Sequence, residues 1–120
     1  MTALRLQPEH DFESIFIPKL IARYKGRGCW WRNSVGYERH HKDPFGGRGA
    51  GDWIGILCGH WVELELKARH GHHGTLQKVR AELVRSLGGL YLVVWEHKVE
   101  QVWAALDAID CPNWALRGER

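Results

Sequence analysis

The chain has 120 residues, of which 44% are hydrophobic, and a formal net charge of +3. This length can bury one core but not two, so one domain is predicted over residues 1–120, with a core of about 11–108 and a loose tail at 112–120. The longest apolar run, Leu90 to Trp95, is too short to span a membrane, and three cysteines without a CxxC pair are typical of a reduced, intracellular protein.

The first predicted elements are a helix and a strand. Apolar positions at helical spacing predict a helix over about residues 11–25, and these positions are Phe12, Ile15, Phe16, Leu20, Ile21 and Tyr24. Pro18 should kink this helix or mark a later start near Ile17. A strand is predicted at residues 29–33, followed by a long loop at 34–50 that is rich in glycine, histidine and arginine.

A β-hairpin is predicted over residues 51–67, because two apolar, β-branched and aromatic runs flank a turn at Cys58-Gly59. With that turn, Leu57 faces His60, and Asp52 lies directly across from Glu65. Like charges that oppose each other on a ladder are destabilising, so a cation is expected between the two carboxylates. A divalent cation with oxygen ligands suits this pair.

Strand alternation divides the hairpin into two faces. The residues that suit a core are Trp53, Leu57, Val62, Leu64 and Leu66. The other face carries Asp52, Glu63, Glu65 and Lys67 beside Ile54 and Ile56, which indicates a half-covered surface with a polar pocket at one end. Two alternatives stay open: a solvated face with charges at its rim, and Glu63 in place of Glu65 as the metal ligand.

The second half of the chain predicts a helix, a strand and a helix. Thr75 can cap a helix whose inward-facing apolar positions are expected to be Leu76, Val79, Leu83 and Leu87. Gly88-Gly89 ends that helix, residues 90–95 predict a fully buried strand, and apolar positions from Val99 to Leu106 predict a last helix. The helix after the third strand forms a crossover, so the last strand should pair in parallel. An α/β fold with a mixed central sheet flanked by helices is expected.

An Asp at the head of one strand, followed by Glu-X-Lys on the next, resembles the PD-(D/E)XK nuclease core, and the ordered motifs are similar to the VRR-NUC group. The resemblance covers about residues 12–106 through Phe12-Glu13, Trp31-Arg32-Asn33, Gly49-Ala50-Gly51-Asp52, Glu65-Leu66-Lys67, Leu76-Gln77-Lys78 and Gly88-Gly89. It implies a restriction-endonuclease-like αβββαβ core and a stand-alone phage or bacterial protein, similar to Holliday-junction resolvases, in the cytoplasm. The family usually has proline or a small polar residue where this chain has Gly51.

The resemblance also implies the site. Mg²⁺ or Mn²⁺ would be held by Asp52, Glu65 and the carbonyl of Leu66. The catalytic residues would be Lys67, which orients the attacking water or stabilises the transition state, Gln77, which orients Lys67 or that water, and Glu13, which completes the acidic shell. Without the resemblance, Glu13 is equally well explained as an exposed first-turn acid favoured by the helix dipole, and Gln77 as a solvated helix position.

A basic stretch precedes the acidic pocket, with eight Lys and Arg residues against two acids between Lys19 and Arg48. Cations near a metal pocket favour contact with a phosphodiester backbone, although they can also simply keep a protein soluble. The DNA-binding candidates are Arg32, Arg39, Lys42, Arg48, His72 and His73. The clusters His40-His41 and His70-Gly71-His72-His73 could instead bind zinc, but they lack the long Cys/His spacing of a structural zinc module.

The expected function is therefore metal-dependent DNA endonuclease activity, with no small-molecule cofactor and no membrane partner. A homodimer that prefers branched or four-way DNA is expected, since one domain has one active site and a two-fold dimer supplies two. No helix-turn-helix or zinc finger is recognisable, so shape is the expected basis of recognition. The alternative is a nuclease-fold protein that binds nucleic acid, or a partner-dependent subunit, without independent cleavage.

Overall fold

The computed structural model describes residues 8–33, 51–68 and 74–111. The elements in these ranges are α1 (Pro8–Arg23), β1 (Gly28–Arg32), β2 (Trp53–Leu57), β3 (His60–Lys67), α2 (Thr75–Ser86), β4 (Leu90–Trp95) and α3 (Val99–Asp107), with a 3₁₀ turn (Glu96–Lys98) before α3. The predicted element order is confirmed. None of the helices in the described ranges has both the length and the apolar character needed to cross a membrane.

The four strands form one mixed sheet in the order β1-β2-β3-β4. The first three strands are antiparallel neighbours, and β4 pairs in parallel with β3 from Val62↔Leu90 to Lys67↔Trp95. The α/β class, the mixed sheet and the parallel last strand are therefore confirmed. Residues 90–95 are not fully buried as predicted, because β4 is an edge strand of this sheet: Tyr91 and Val94 are buried, and the other four are half-buried.

The β2–β3 turn has the predicted position. Leu57 pairs with His60, and the two turn residues, Cys58 and Gly59, both have positive φ, at 51° and 86°. Two successive positive φ angles produce the backbone twist that a two-residue hairpin needs. At the other end of this ladder the last pair is Trp53↔Leu64, so Asp52 and Glu65 lie one position beyond it.

Helices α1 and α3 cover the apolar face of the sheet. The buried residues of this core are Phe12, Phe16, Ile17, Leu20, Tyr24, Leu57, Val62, Leu64, Leu66, Val94, Val102 and Leu106. The predicted faces of the hairpin are thus confirmed, but the predicted stripe on α1 was too wide. Ile15 and Ile21 are 60% and 48% exposed, whereas Ile17, which was not part of the predicted stripe, is buried in the core.

Helix α2 covers the opposite face through Ala81 and Val84. The prediction that its large apolar residues face inward is wrong: Leu76, Val79 and Leu87 are 49%, 54% and 76% exposed, and Leu83 is half-buried. The sheet beneath α2 presents Glu63 and Glu65, so the helix turns its hydrogen-bonding side chains toward them and its large apolar side chains away.

Two further sequence predictions are corrected. The cap of α2 is Gly74 and not Thr75, since the Gly74 N–H donates to Gln77 Oε1 at 2.8 Å. The cysteines are not all reduced. Cys58 and Cys111 form a disulfide with a Cα–Cα distance of 5.4 Å, and the third cysteine, Cys29, is free and exposed. The pairing joins the β2–β3 turn to the residues after α3, a proximity that a separation of 53 residues conceals.

The ends of α1 and α3 are joined by a polar cluster. The Arg23 guanidinium donates to Asp107 through Nη2 at 2.6 Å and through Nε at 3.3 Å, and the Tyr24 hydroxyl donates to Asp107 at 2.8 Å. These donors hold the pKa of the Asp107 carboxyl below its usual range. Burial and the hydrogen bond to Asp107 together raise the pKa of Tyr24 to about 12.

We predict that Asp107→Asn lowers the melting temperature at neutral pH and that the difference from wild type closes in acid. A carboxyl whose folded pKa is depressed stabilises the fold above its unfolded pKa of about 3.9, and this contribution is lost as pH falls through the folded pKa. Thermal melts by circular dichroism between pH 2 and 7 measure it, with Asp110→Asn as the control. A gap that stays constant down to pH 2 contradicts the prediction.

Candidate functional site

The residues predicted to form the metal pocket lie at one end of the sheet. Asp52 precedes β2, Glu65 and Lys67 are at the carboxyl end of β3, and Gln77 is in the first turn of α2. Strand β4 runs parallel to β3 and ends at the same edge. In α/β proteins the carboxyl ends of parallel strands and the amino ends of helices are where ligands commonly bind.

Asp52 is held by the backbone of both neighbouring strands. Its Oδ2 accepts a hydrogen bond from the N–H of Leu66 at 2.8 Å, and its carbonyl accepts one from the N–H of Asn33 at 2.8 Å. The preceding Gly51 lies against β3 so closely that a Cβ atom would be 2.8 Å from the Leu64 nitrogen and oxygen. A side chain of any size at position 51 would therefore collide with the backbone of β3.

Glu65 is 5% exposed and has two side-chain partners on its Oε2 atom. Gln77 Nε2 donates to it at 2.6 Å, and Lys67 Nζ lies 3.4 Å away. Gln77 also accepts from the Gly74 N–H, so a single amide joins Glu65 to the start of α2. Gln77 therefore orients Glu65, whereas the sequence led us to expect contact with Lys67 or water.

Glu63 is fully buried and surrounded by donors. Its carboxylate accepts from Arg80 Nε and Nη2 at 3.1 and 2.8 Å, from Trp61 Nε1 at 2.8 Å and from the Gly51 N–H at 3.2 Å. These four bonds satisfy both oxygens, which argues against Glu63 as a metal ligand. The bond to Gly51 also positions the residue immediately before Asp52.

Arg80 was missed by the sequence reasoning, although a signal for it exists. Helix α2 returns from the end of β3 to the start of β4, so it runs against the direction of β3. Three residues of helix rise about 4.5 Å and two residues of strand about 6.6 Å. The step from Gln77 to Arg80 therefore approximately matches the step from Glu65 back to Glu63, and each helix side chain meets one acid.

Tyr91 is a buried tyrosine that lies beside the acids of the site. It pairs with Glu63 in the β3–β4 register and is buried. Its pKa is raised above the ordinary range, first by burial and then by the charges of Glu65, Glu63 and Asp52, against which Arg80 acts in the opposite direction. A pocket in which the carboxylates outweigh the nearby cations attracts a positive ion.

The donor set fits a magnesium-like ion. Mg²⁺ is usually bound by one or two carboxylates and completes its shell with water and substrate phosphate oxygens. Asp52 and Glu65 supply two carboxylates, and the Leu66 carbonyl is a further candidate. Across residues 8–33, 51–68 and 74–111 no cluster of three or more His, Cys, Asp or Glu side chains is placed to hold a metal.

Glu13 is partly buried, with 15% of its side chain exposed. Its Oε2 accepts from Trp53 Nε1 at 2.7 Å, and its Oε1 is 3.4 Å from Arg32 Nη1. Trp53 packs on the apolar face, so these contacts lie on the face opposite to Glu65. Glu13 is thus more than an exposed first-turn acid, and its place in the acidic shell stays a prediction.

Of the predicted DNA contacts, Arg32 is the one that lies within the described residues. Arg32 is at the end of β1 with half of its side chain exposed, so it is accessible to a ligand. The other candidates, Arg39, Lys42, Arg48, His72 and His73, lie outside the described residues, as do the remaining members of the two histidine clusters.

Comparison of the chain with family models, with curated proteins and with solved structures finds no match. The VRR-NUC resemblance is therefore a prediction from the motifs.

We predict that Glu63→Gln destabilises the protein by about 3 kcal/mol, because removal of one partner leaves the Arg80 charge buried and poorly compensated. Urea unfolding measures the change. Glu82→Gln is the matched control, since Glu82 is an exposed acid on α2, the helix that carries Arg80. A loss below about 1 kcal/mol, as for a surface ion pair, contradicts the role assigned to Glu63.

Proposed function

We propose that this protein is a metal-dependent DNA endonuclease of the VRR-NUC type, with a restriction-endonuclease-like core. The observation that carries the proposal is the meeting of Asp52, Glu65 and Lys67 at one end of the sheet. The element order, with the Asp before the second strand and Glu-X-Lys at the end of the third, agrees with that core.

In this proposal Asp52 and Glu65 bind Mg²⁺ or Mn²⁺ together with the Leu66 carbonyl. A bound ion supplies a water of lowered pKa and neutralises charge on the scissile phosphate. The protein's part is to hold the two carboxylates in position. The Leu66 N–H positions Asp52, and Gln77 positions Glu65.

Lys67 is suited to act on the substrate. Its side chain is 12% exposed, and its ammonium lies 3.4 Å from Glu65. A protonated lysine donates hydrogen bonds and cannot ligate a metal, so its targets are the attacking water or a phosphate oxygen. Its proximity to Glu65 supports this role, since a positive charge beside the metal ligands would stabilise the negative charge that develops during phosphodiester hydrolysis.

The proposed substrate is DNA, with a preference for branched or four-way forms. Half of the Arg32 side chain is exposed at the end of β1. Further basic residues, which are predicted to contact DNA, follow it in the chain within residues 34–50. Contacts of this kind go to phosphates, so recognition would depend on backbone shape and would weaken as salt rises.

We predict that the protein cleaves labelled DNA in Mg²⁺ or Mn²⁺ and not in chelator, with four-way DNA cut faster than nicked or linear duplex. Asp52→Asn and Glu65→Gln should each reduce cleavage by at least ~10³-fold, because each removes a charge that holds the ion. Circular dichroism checks that both variants fold, and Glu82→Gln is the control. Near wild-type cutting by either folded variant contradicts the proposed site.

We predict that Lys67→Met lowers turnover by roughly 10²-fold or more while metal affinity, measured by calorimetry, changes little. Lysine acts on the substrate and not on the ion, so the two measurements should separate. Lys78→Met, at an exposed lysine of α2, is the matched control. An equal loss of metal affinity would instead indicate that Lys67 is needed to shape the metal pocket.

A second candidate is a nuclease-fold protein that binds nucleic acid, or a partner-dependent subunit, without cutting alone. It is favoured by the contacts of Glu65, whose Oε2 atom already has Gln77 and Lys67 as partners. Salt-sensitive DNA binding without cleavage in either metal would support this candidate over the endonuclease.

A further inference from the structure

Half of one sheet face carries large apolar side chains that are open to solvent. Trp31, Ile56 and Trp61 are 39%, 44% and 41% exposed, and the exposed Cys29 pairs with Ile56 in the register. The rings of Trp31 and Trp61 meet edge to face, with centroids 6.1 Å apart. These four residues are called the sheet patch.

The sheet patch is about as wide as one α-helix. Strands lie about 4.8 Å apart and a helix with its side chains is about 10 Å wide, so one helix covers about two strands. The opposite face has two helices for its four strands, α1 and α3. In the described part of the chain, α2 is the one helix on the patch face. It packs on β4 through Ala81 and Val84 and bonds to β3 through Gln77 and Arg80.

Helix α2 has an apolar side that lies outside its contacts with Glu63 and Glu65. Leu76, Val79, Leu83 and Leu87 recur at helical spacing on that side, and three of them are about half exposed or more. They are called the α2 stripe. A cavity of about 250 Å³ connects the stripe to the sheet patch, with Trp61 on one side and Leu83 and Leu87 on the other.

The combined surface has the area of a dimer interface. With about half of each large side chain exposed, patch and stripe together present on the order of 500 Å² of apolar surface. A standard interface buries about 800 Å² on each partner, of which somewhat more than half is apolar. The exposed area therefore matches what one partner contributes.

We propose that a second copy of this chain covers this surface, with the α2 stripe of each copy lying on the sheet patch of the other. Among the residues that the structure describes, no helix covers the sheet patch and no strand packs against the α2 stripe. Such a pair of surfaces has the self-complementarity that a two-fold interface requires. The apolar sides of α1 and α3 are already used in the core. In the dimer the two α2 helices lie side by side between the two sheets.

This interface gives a surface to the homodimer expected from the sequence, and it is independent of the nuclease proposal. None of Asp52, Glu65 and Lys67 belongs to the patch or to the stripe. A dimer without cleavage, or cleavage by a monomer, would therefore separate the two proposals.

The test is the mass in solution of wild type and of three variants at about 10 µM, measured by light scattering and sedimentation. Wild type is expected to have twice the mass of the chain. Val79→Glu and Leu87→Glu should raise the dimer dissociation constant by roughly 30-fold or more, because each places a charge in the apolar contact. Ile15→Glu is the matched control, since Ile15 is 60% exposed on α1, beneath the other face, and should leave the dimer intact.

Alkylation of Cys29, the thiol in the sheet patch, provides a second readout under non-reducing conditions. It is expected to be slow in the wild-type dimer and at least tenfold faster in Leu87→Glu. A wild-type monomer at 100 µM would overturn the proposal, as would a dimer that persists in both stripe variants. Slow alkylation in a monomer would also overturn it, because the patch would then be covered by the same chain.

Discussion

The buried pair between Glu63 and Arg80 determines how α2 lies on the sheet. A carboxylate with no exposure to water is strongly destabilising unless donors surround it, so an arginine must face the sheet at this point of the helix. This requirement sets the rotation of α2. Gln77 then comes to face Glu65, and the large apolar side chains of the helix face outward.

The same rotation connects the proposed active site with the proposed dimer surface. On the inner side of α2, Gln77 and Arg80 donate hydrogen bonds to the two acids. The apolar contacts of this side are made by Ala81 and Val84, which pack on β4. The outer side is left with the leucines and the valine of the α2 stripe. A polar inner side and an apolar outer side reverse the usual arrangement for a surface helix, and the proposed second copy would bury the outer side.

Two acids that alternate on one strand have different roles because their partners differ. Glu63 has a bidentate arginine, an indole and a backbone N–H, so its charge is balanced inside the protein. Glu65 has an amide and a lysine on one oxygen atom, at the end of the sheet where Asp52 also lies. Three carboxylates, those of Asp52, Glu63 and Glu65, thus stand against two cations, Lys67 and Arg80. This imbalance supports a cation site at Asp52 and Glu65.

The sequence by itself determined the features that depend on local periodicity and turn chemistry. The positive-φ turn at Cys58-Gly59, the two faces of the hairpin and the parallel β4 follow from alternation, from glycine placement and from a helical crossover. These features also bring Asp52 close to Glu65. Only the tertiary structure decided the rotation of α2, the partners of Glu13 and the Cys58–Cys111 disulfide. Periodicity shows that a helix has an apolar side, but the groups that lie beneath the helix determine whether that side faces the core.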